Sequence, residues 1–425
     1  MMVRTPLHVV VLTSWMRFPH GMAATNRALL AARALVAAGA DVRFIIMQAS
    51  ERPPVIENTE VRGEYRGVVF EYTTGTTRRS PSFTARRLIE ARGWIMGLVR
   101  LLTLRSTGRM DVVYLWLTSQ RLTVSRAAFV AVLRLLRVPV IIELNERPWP
   151  LRSDQRSVER AWSPLRGVDG AVSISSYLTD WFRAEVATHG DRRLELIEVP
   201  ILVDIDEPRP DPSPVEPERV VFAGAPQYDD TLRFVFQAMT HVWERFPQCR
   251  LVVTGSNPAD PAARWLMKAA SEGGLDGRIL LAGYLPREAL LAEYSRANAL
   301  LIPLFDDVRS RARFPTKIGE YLASGRPLVT TEVGEMPRFF EDGKNAFMCS
   351  AGDAAAYGSK VCEVLADPAK ARLVGEAGRR LAEERLHYRR YSDVLYEGFS
   401  RAAGLQRGTG GEGGWRTRHV SDKRT

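Results

Sequence analysis

Two series of short apolar runs alternate with helix-length segments along this chain, and the alternation limits the fold more than any other feature of the sequence. The runs of the first series are nearly continuous in Val, Ile and Leu, as strands buried on both faces require. They are LHVVVLTS (7–14), DVRFIIMQ (41–48), GVVFEY (67–72), DVVYLWL (111–117), VPVIIEL (138–144) and DGAVSI (169–174). A helix is predicted between the first two runs, over 22–38, with Gly39 closing it. Strands that alternate with helices predict a doubly wound parallel sheet.

A proline-rich stretch then interrupts the pattern. The segment EPRPDPSPVEPE (207–218) contains five prolines and little apolar material, which is typical of an exposed linker. Beyond it the alternation resumes with RVVFAGA (219–225), RLVVTGS (250–256), RILLAGY (278–284), ANALLIPL (297–304) and RPLVTTE (326–332). The sequence therefore predicts two α/β domains.

The predicted boundaries follow from these patterns. The N-terminal domain is expected to span 1–206, the linker 207–218 and the C-terminal domain 219–385, with a final helical segment over 386–404. The tail 405–425 is rich in Gly and charged residues without periodicity, and we predict that it is disordered. Open parallel sheets bind ligands at the carboxyl ends of their strands, so two such domains predict a ligand cleft between them.

Composition limits the cellular context. With 425 residues, 45% hydrophobic and 25% charged, the chain is long enough for two cores and is not of the disordered class. Its three cysteines are too few for a disulfide framework. No apolar stretch reaches the roughly 18 to 20 residues that span a bilayer. We expect a cytoplasmic protein with no export signal and no membrane span.

Positive charge is concentrated in the first half of the chain. Residues 1–200 contain 28 Arg, no Lys and 18 acidic residues, which accounts for the whole net charge of +10. An anionic partner of that half, such as substrate phosphate or a membrane surface, would explain the asymmetry, and so would a solubilising surface.

The segment from Phe314 to Asp353 suggests the chemistry. Pro315 and Thr316 are predicted to open a short helix, and Lys317 would add a full charge to the free N–H groups at its start, which favours phosphate. Glu320 lies one turn further on the same face, where it could accept hydrogen bonds from sugar hydroxyls. Alternatively, Glu320 pairs with Lys317 on a solvated surface.

This segment resembles the donor-site signature of the retaining glycosyltransferases of family 4, which have the GT-B fold of two Rossmann-like domains facing across a cleft. The matching positions are Phe314, Glu320, Ala323, Gly325, Pro327, Gly334, Asp342-Gly343 and Gly352-Asp353. Weaker similarity extends over about residues 5 to 404. The resemblance implies transfer of a sugar from a nucleoside-diphosphate sugar to a hydroxyl acceptor with retention of configuration, in polysaccharide biosynthesis or on a lipid-linked precursor.

The resemblance also implies the site residues. The donor would contact Gly21, Gly283, Tyr284, Arg313, Thr316, Lys317 and Glu320. The acceptor would contact His20, Asn26 and Glu143. Asn145, Glu146 and Lys317 would take part in catalysis. No metal and no cofactor is expected.

The chain departs from the family pattern in three places. The first Glu of the family's glutamate pair falls at Ala312, between Arg311 and Arg313. The family's Arg and Lys after the first strand of the second domain are missing from 224–230, and Lys317, Arg311 or Arg313 would supply part of that charge. Asn145 stands near the place of a family histidine.

These departures keep other functions open. A non-catalytic nucleotide-sugar-binding protein would tolerate Ala312, whereas a nucleotide-sugar epimerase would need carboxylates and a histidine gathered at the sugar. Asp204 and Asp206 form a DxD pair, but they lie just before the linker, which argues against a metal role. A nucleic-acid partner is not expected, because no basic groove with interleaved aromatic residues is visible.

The segment 82–105 combines Arg with Leu, Ile, Trp and Met. It could lie on an anionic membrane and bring a lipid-linked acceptor to the enzyme, or it could be a packed helix with snorkelling arginines. The first alternative predicts peripheral contact of the basic N-terminal domain with the inner face of the cytoplasmic membrane.

Overall fold

A computed structural model describes residues 6–14, 16–53, 56–116, 124–146, 168–188, 194–207, 216–224, 229–257, 259–404 and 417–418. The chain divides into two compact units, one formed by 1–202 with 388–425 and the other by 203–387. We call them the N-terminal and C-terminal domains. The first division falls at 202/203 rather than at the predicted 206/207, because Val203 N–H donates to Leu386 O (3.0 Å) within the C-terminal domain.

The strands and helices have the following bounds. The strands are β1 (His8–Thr13), β2 (Asp41–Ile46), β3 (Arg62–Tyr65), β4 (Val68–Tyr72), β5 (Val112–Trp116), β6 (Val140–Leu144), β7 (Gly170–Ser173), β8 (Glu195–Glu198), β9 (Arg219–Ala223), β10 (Arg250–Thr254), β11 (Ile279–Gly283), β12 (Ala299–Ile302), β13 (Leu328–Thr331), β14 (Phe347–Cys349) and β15 (Thr417–Arg418). The helices are α1 (Ala23–Ala37), α2 (Phe83–Ser106), α3 (Val124–Leu135), α4 (Ser176–Thr188), α5 (Asp229–Arg245), α6 (Pro261–Glu272), α7 (Arg287–Arg296), α8 (Val308–Ala312), α9 (Lys317–Ala323), α10 (Met336–Phe339), α11 (Ala354–Ala366), α12 (Pro368–Leu381) and α13 (Ser392–Ala402).

The N-terminal domain is built on one sheet with the strand order β15-β8-β7-β6-β5-β1-β2-β4-β3. Its strand pairs are parallel except β3 with β4. The strands β5, β6 and β7 are buried along their whole length, as their continuous apolar sequence predicts. The final helix α13 packs on α1 and β8, with Phe399 edge-on to Tyr114 at a ring-centroid distance of 5.1 Å.

The C-terminal domain has a wholly parallel sheet with the order β11-β10-β9-β12-β13-β14. Helix α11 packs on α5 and on strands of the sheet, and its Tyr357 is fully buried between Phe234 and the β13 backbone, where the hydroxyl donates to Val329 O (2.7 Å). Both domains therefore have the doubly wound α/β architecture, which confirms the predicted fold class.

Local predictions can be compared with these elements. Helix α1 begins and ends within one residue of the predicted 22–38, and Gly39 closes it with a φ of 95°. Of the predicted linker, 208–215 lie outside the described residues. In the tail, Thr417–Arg418 pair with Leu196–Ile197 of β8, whereas the sequence predicted no structure there; the rest of 405–425 lies outside the described residues.

Candidate functional site

Helix α9 is attached to the carboxyl end of β9, in the middle of the C-terminal sheet. Lys317 and Tyr321 are one turn apart on this helix, and both reach the backbone of Ala223, the last residue of β9. The Lys317 ammonium donates to Ala223 O, and the Tyr321 hydroxyl accepts from Ala223 N–H (3.0 Å). Because ligands bind at this edge of a parallel sheet, Lys317 is where an anionic ligand would be expected.

Burial changes the acidity of Lys317. Desolvation lowers the pKa of its ammonium from 10.5 to about 8, and the charge of Glu320 offsets only part of this effect. An ammonium that water solvates poorly gains more from a neighbouring phosphate than an ammonium on the surface does.

Glu320 lies in the same helix, half-buried. Its Oε1 accepts a hydrogen bond from Arg287 Nη1 (2.9 Å), and its side chain is 16% exposed. The surface pair with Lys317 considered above is thus replaced by an ion pair with a residue of α7. Thr316 precedes the helix in a helical conformation and makes no side-chain capping bond, and Gly325 closes the helix with a φ of 72°.

The next two predicted donor residues lie at the carboxyl end of β11, where Gly283 is the last strand residue and Tyr284 follows it. Gly283 has a φ of 66°, and a Cβ there would lie 3.3 Å from Asn257 Oδ1, so both conformation and space favour glycine. Tyr284 follows with 56% of its surface exposed. An exposed aromatic ring at a strand's carboxyl end is suited to stacking on a nucleobase.

The position of the missing family glutamate lies at the end of α8. Asp307 caps this short helix by accepting from Ser310 N–H (2.6 Å), and Ala312 is buried. Arg311 pairs with Asp306 (2.7 Å), and Arg313 is half-buried. A small apolar side chain occupies the position, with basic residues on either side.

In the N-terminal domain, three buried polar atoms lie at the carboxyl ends of adjacent strands. They are Thr13 Oγ1 at the end of β1, Trp116 Nε1 at the end of β5 and Asn145 Oδ1 directly after β6. Within the part of the chain that the structure describes, none of the three has a hydrogen-bond partner. Buried polar groups are usually paired, so this edge of the sheet is suited to a polar ligand.

Glu143 is also at this edge, but its carboxylate is engaged inside the domain. Arg27 Nε donates to Oε1 (2.6 Å), and the Tyr114 hydroxyl donates to Oε2. The same guanidinium donates to Pro200 O (2.6 Å) and Val199 O (2.9 Å). Burial raises the pKa of Glu143, against the opposing effects of Arg27 and Tyr114. Through Arg27, Glu143 thus helps to hold the backbone that follows β8. The role of Glu143 in acceptor binding stays a prediction.

The remaining N-terminal residues surround the start of α1. His20 is exposed and stands edge-on to Tyr65, with ring centroids 5.1 Å apart. A Cβ on Gly21 would lie 2.0 Å from Thr25 Oγ1, so glycine is required for packing there. Asn26 is half-buried on α1, and Glu146 is exposed beyond β6.

The DxD pair joins a histidine in the C-terminal domain. His387 Nε2 lies 3.6 Å from Asp206 Oδ2 and 4.0 Å from Asp204 Oδ1. The ligand atoms of these three residues lie within 4.8 Å of one another, and such a set could hold a divalent cation.

Sequence reasoning did not identify Arg287, Trp116 or Thr13. The two strand-end residues look like ordinary buried strand positions in the sequence. Arg287 follows Pro286 in a run without a motif, and only its contacts with carboxylates make it notable.

Comparison with known proteins assigns the class. Residues 217–367 match the family described as "Glycosyl transferases group 1". The matched range includes Lys317, Glu320 and the segment after β11. The fold has the GT-B class in common with solved glycosyltransferases. The resemblance seen in Phe314–Asp353 is thereby confirmed: the C-terminal domain matches the group 1 glycosyltransferase family over 217–367.

Three proteins illustrate what the chain is similar to. The GDP-mannose-dependent alpha-(1-6)-phosphatidylinositol monomannoside mannosyltransferase of Mycolicibacterium smegmatis is 25% identical over 54% of this chain and 62% of its own length. The chain therefore spans about three fifths of that relative. Sucrose-phosphate synthase from Thermosynechococcus elongatus shares the fold with a TM-score of 0.70, 15% identity and coverage of 94% of this chain and 100% of that one. HepE of Anabaena, in complex with UDP and glucose, has a TM-score of 0.63, 14% identity and the coverage 94% and 100%.

Among the helices in the described ranges, none combines the length and the apolar character needed to cross a bilayer.

Proposed function

We propose that this protein is a retaining, metal-independent glycosyltransferase that moves a sugar from a nucleoside-diphosphate sugar to a hydroxyl acceptor. The observation that carries the proposal is the attachment of Lys317 to the end of β9, with Glu320 one turn further along the same helix. Together they offer a cation for a diphosphate and a carboxylate for hydroxyl groups at the edge where parallel sheets bind ligands.

The reaction breaks the bond between the sugar C1 and the diphosphate oxygen, and the bonding electrons leave with the phosphate. The acceptor oxygen forms its new bond to C1 on the same face, and its proton passes to the departing phosphate. Negative charge grows on that phosphate in the transition state, where Lys317 and nearby N–H groups stabilise it. Arg313, beside Ala312, adds a second positive charge. Thr316, Gly21 and Gly283 line the donor, and Tyr284 stacks on the base.

The N-terminal domain supplies the acceptor side in this proposal. Asn145 and Glu146 orient the acceptor hydroxyl, with His20, Asn26 and Glu143 as further contacts. The buried Oδ1 of Asn145 supports this assignment, because a hydroxyl donor would satisfy it. The relative in Mycolicibacterium smegmatis is named for a phosphatidylinositol monomannoside, and this supports a lipid-linked or polysaccharide-precursor acceptor here.

A calorimetric screen of UDP, GDP, ADP and dTDP tests the donor site. We expect one nucleotide to bind clearly more tightly than the others, and Glu320→Ala to weaken that binding by about tenfold, as loss of a charge-assisted hydrogen bond does. Glu341→Ala is the matched control, because this glutamate is 64% exposed and pairs only with its neighbour Lys344 among the ion pairs described. Unchanged affinity in folded Glu320→Ala would remove Glu320 from the site.

Catalysis is tested separately from binding. The nucleotide sugar of the tightest-binding base should be hydrolysed or transferred by the native chain, with the product keeping its anomeric configuration. Binding without turnover on any acceptor would favour the non-catalytic alternative, and interconversion of two nucleotide sugars would favour the epimerase.

We also propose that the N-terminal domain contacts the inner face of the cytoplasmic membrane through α2. The buried residues of this helix are Gly93, Gly97, Leu101 and Leu104. Four aliphatic residues lie on the opposite side, within about 60° of arc at 3.6 residues per turn. They are Leu88 (73% exposed), Ile95 (63%), Val99 (46%) and Leu102 (43%).

The charges around this stripe match an anionic surface. Arg87, Arg92 and Arg105 are exposed beside the aliphatic side chains, and Glu90 is the sole acidic residue of the helix. A continuous apolar stripe on an exposed helix indicates an interaction surface, and flanking arginines favour anionic lipid as the partner.

A further inference from the structure

Arg287 joins two carboxylates that come from different parts of the C-terminal domain. Its Nε donates to Glu207 Oε1 (2.8 Å), and its Nη2 donates to Glu207 Oε2 (2.5 Å), which makes a bidentate pair. Its remaining nitrogen, Nη1, donates to Glu320 Oε1 (2.9 Å). The Arg287 side chain is 42% exposed, while the side chains of Glu207 and Glu320 are 13% and 16% exposed. The two acidic groups are thus more buried than the cation between them.

The place of Arg287 in its helix is unfavourable by itself. Arg287 is the first residue of α7, where the positive end of the helix dipole disfavours a cation. The two carboxylates compensate for this cost, since a planar guanidinium can satisfy one bidentate and one single hydrogen bond together. Without the Arg287 guanidinium, the carboxylates of Glu207 and Glu320 would repel each other, and this repulsion would favour a conformation of Glu320 that faces solvent.

The same residue connects two parts of the candidate donor site. Arg287, the first residue of α7, follows Tyr284 by three positions. Its bond to Glu320 ties the start of α7, just after Tyr284, to helix α9. A ligand whose base stacks on Tyr284 and whose hydroxyls bind Glu320 needs these two parts at a fixed separation.

We propose that Arg287 is a positioning residue that holds the Glu320 carboxylate in the orientation that recognises the ribose hydroxyls of the donor nucleotide. Arg287 acts through Glu320 and does not touch the ligand. Glu320 Oε1 is held by the guanidinium, which directs Oε2 to the ligand. This inference rests on the proposed function, because it assigns the ribose to Glu320.

Matched pairs of ribose and deoxyribose nucleotides test the proposal. Calorimetry with UDP and 2′-deoxy-UDP, and with GDP and 2′-deoxy-GDP, gives an affinity ratio for each protein. We expect the native chain to prefer the ribose form by about tenfold, since a site that pairs a hydroxyl rejects the analogue that lacks it. Arg287→Lys keeps the charge but cannot make all three bonds, and Arg287→Met removes them. Both should reduce the ratio to about two or less, mainly by weaker binding of the ribose form.

Glu207→Gln is the control. It changes the bidentate partner of Arg287 but leaves the bond between Arg287 and Glu320 in place, so its ratio should stay near that of the native chain. A native ratio of about tenfold that is unchanged in folded Arg287→Lys would overturn the positioning role. A native chain with no preference for ribose would instead refute the proposed contact between Glu320 and ribose. If Glu207→Gln lowers the ratio as far as Arg287→Lys, the effect belongs to general folding of the cluster and the inference is wrong.

Discussion

Burial lowers the pKa of Lys317, whereas the pKa of Lys360 is raised. Lys360 is also close to acidic groups, but its hydrogen bonds with Asp342 and Glu363 outweigh its desolvation and raise the pKa of its ammonium. At Lys317 desolvation dominates and lowers the pKa to about 8. Lys360 therefore stays charged near neutral pH, whereas Lys317 titrates close to neutral pH.

Lys317 should take up a proton when a nucleoside diphosphate binds. At pH 8.5 the Lys317 amine of the free protein is largely neutral, because its pKa is about 8. A bound phosphate raises this pKa, because its negative charge favours the protonated form. Binding should weaken as pH rises from 7 to 9, since protonation then becomes part of the cost. Calorimetry with the nucleotide that binds tightest, at pH 8.5 in two buffers of different ionisation enthalpy, measures the uptake.

Lys317→Met should abolish both the proton uptake and the dependence on pH. Lys344→Met, at a lysine that is 69% exposed, should change neither. Equal binding enthalpies in the two buffers for the native chain would contradict the assignment of Lys317 to the phosphate.

At the scale of elements, close packing decides which face of α2 is exposed. A Cβ on Gly93 would lie 2.2 Å from Met47 O, and one on Gly97 would lie 3.1 Å from the Met47 side chain. Glycine at these positions lets the helix approach the end of β2, and the Thr73 hydroxyl donates to Gly93 O (2.7 Å). With this face fixed, the aliphatic stripe of Leu88 to Leu102 must point outward.

That stripe should bind anionic vesicles. We expect the native chain to sediment with phosphatidylglycerol vesicles and to remain in solution with phosphatidylcholine, because the arginines add electrostatic attraction to apolar insertion. The double variant Ile95→Ser, Leu102→Ser should lose about tenfold in vesicle affinity, since it removes apolar area from the contact. Leu373→Ser is the control, because Leu373 is a comparably exposed aliphatic residue (56%) on a helix of the other domain.

Equal binding by the double variant and the native chain would show that α2 is not the contact. Association of the native chain into dimers that the double variant prevents would assign the stripe to a second copy of the chain instead of a membrane.

For the molecule as a whole, the two domains differ in charge while sharing one architecture. The net charge of +10 comes from residues 1–200, in the domain that contains α2. The chain passes between domains at 202/203 and again at 387/388, and Asp204, Asp206 and His387 gather near these two passages within the C-terminal domain. A metal-independent transfer reaction and a reaction that needs a cation at this cluster differ in how they respond to removal of divalent cations.

Removal of divalent cations should leave transfer unchanged. In the proposed mechanism Lys317 and Arg313 stabilise the phosphate charge, so no cation is needed at the donor. Turnover of the nucleotide sugar after dialysis against EDTA should match turnover with added Mg²⁺ or Mn²⁺ within about twofold. A loss on chelation that Asp206→Asn reproduces would assign a metal to the cluster of Asp204, Asp206 and His387 and contradict the metal-free proposal.

Much of the fold could be predicted because local pattern and tertiary environment agree. Strands such as VPVIIEL are apolar throughout since both of their faces are covered, and this composition is visible without knowing the neighbours. Helix α9 was predictable for a similar reason, with Pro315 before it and Gly325 after it. The candidate site residues Lys317 and Glu320 were predicted from that helix, and their roles stay predictions.

Contacts between distant residues were not predictable in this way. The sequence places Glu320 next to Lys317, but the structure pairs it with Arg287, which lies 33 positions away. Glu143 looks like a strand-end carboxylate available to a ligand, yet Arg27, 116 positions away, engages it. Neither partner carries a motif, because a salt bridge needs only a suitable residue at a suitable point in space.

The sequence by itself determined the class of fold, the two-domain organisation and the group 1 signature, since periodicity, turn residues and motif spacing are local properties of the chain. Only the tertiary structure decided which charges meet, which face of α2 reaches solvent and how far burial shifts the pKa of Lys317. These depend on desolvation and on distances between segments far apart in the chain, and no local pattern encodes them.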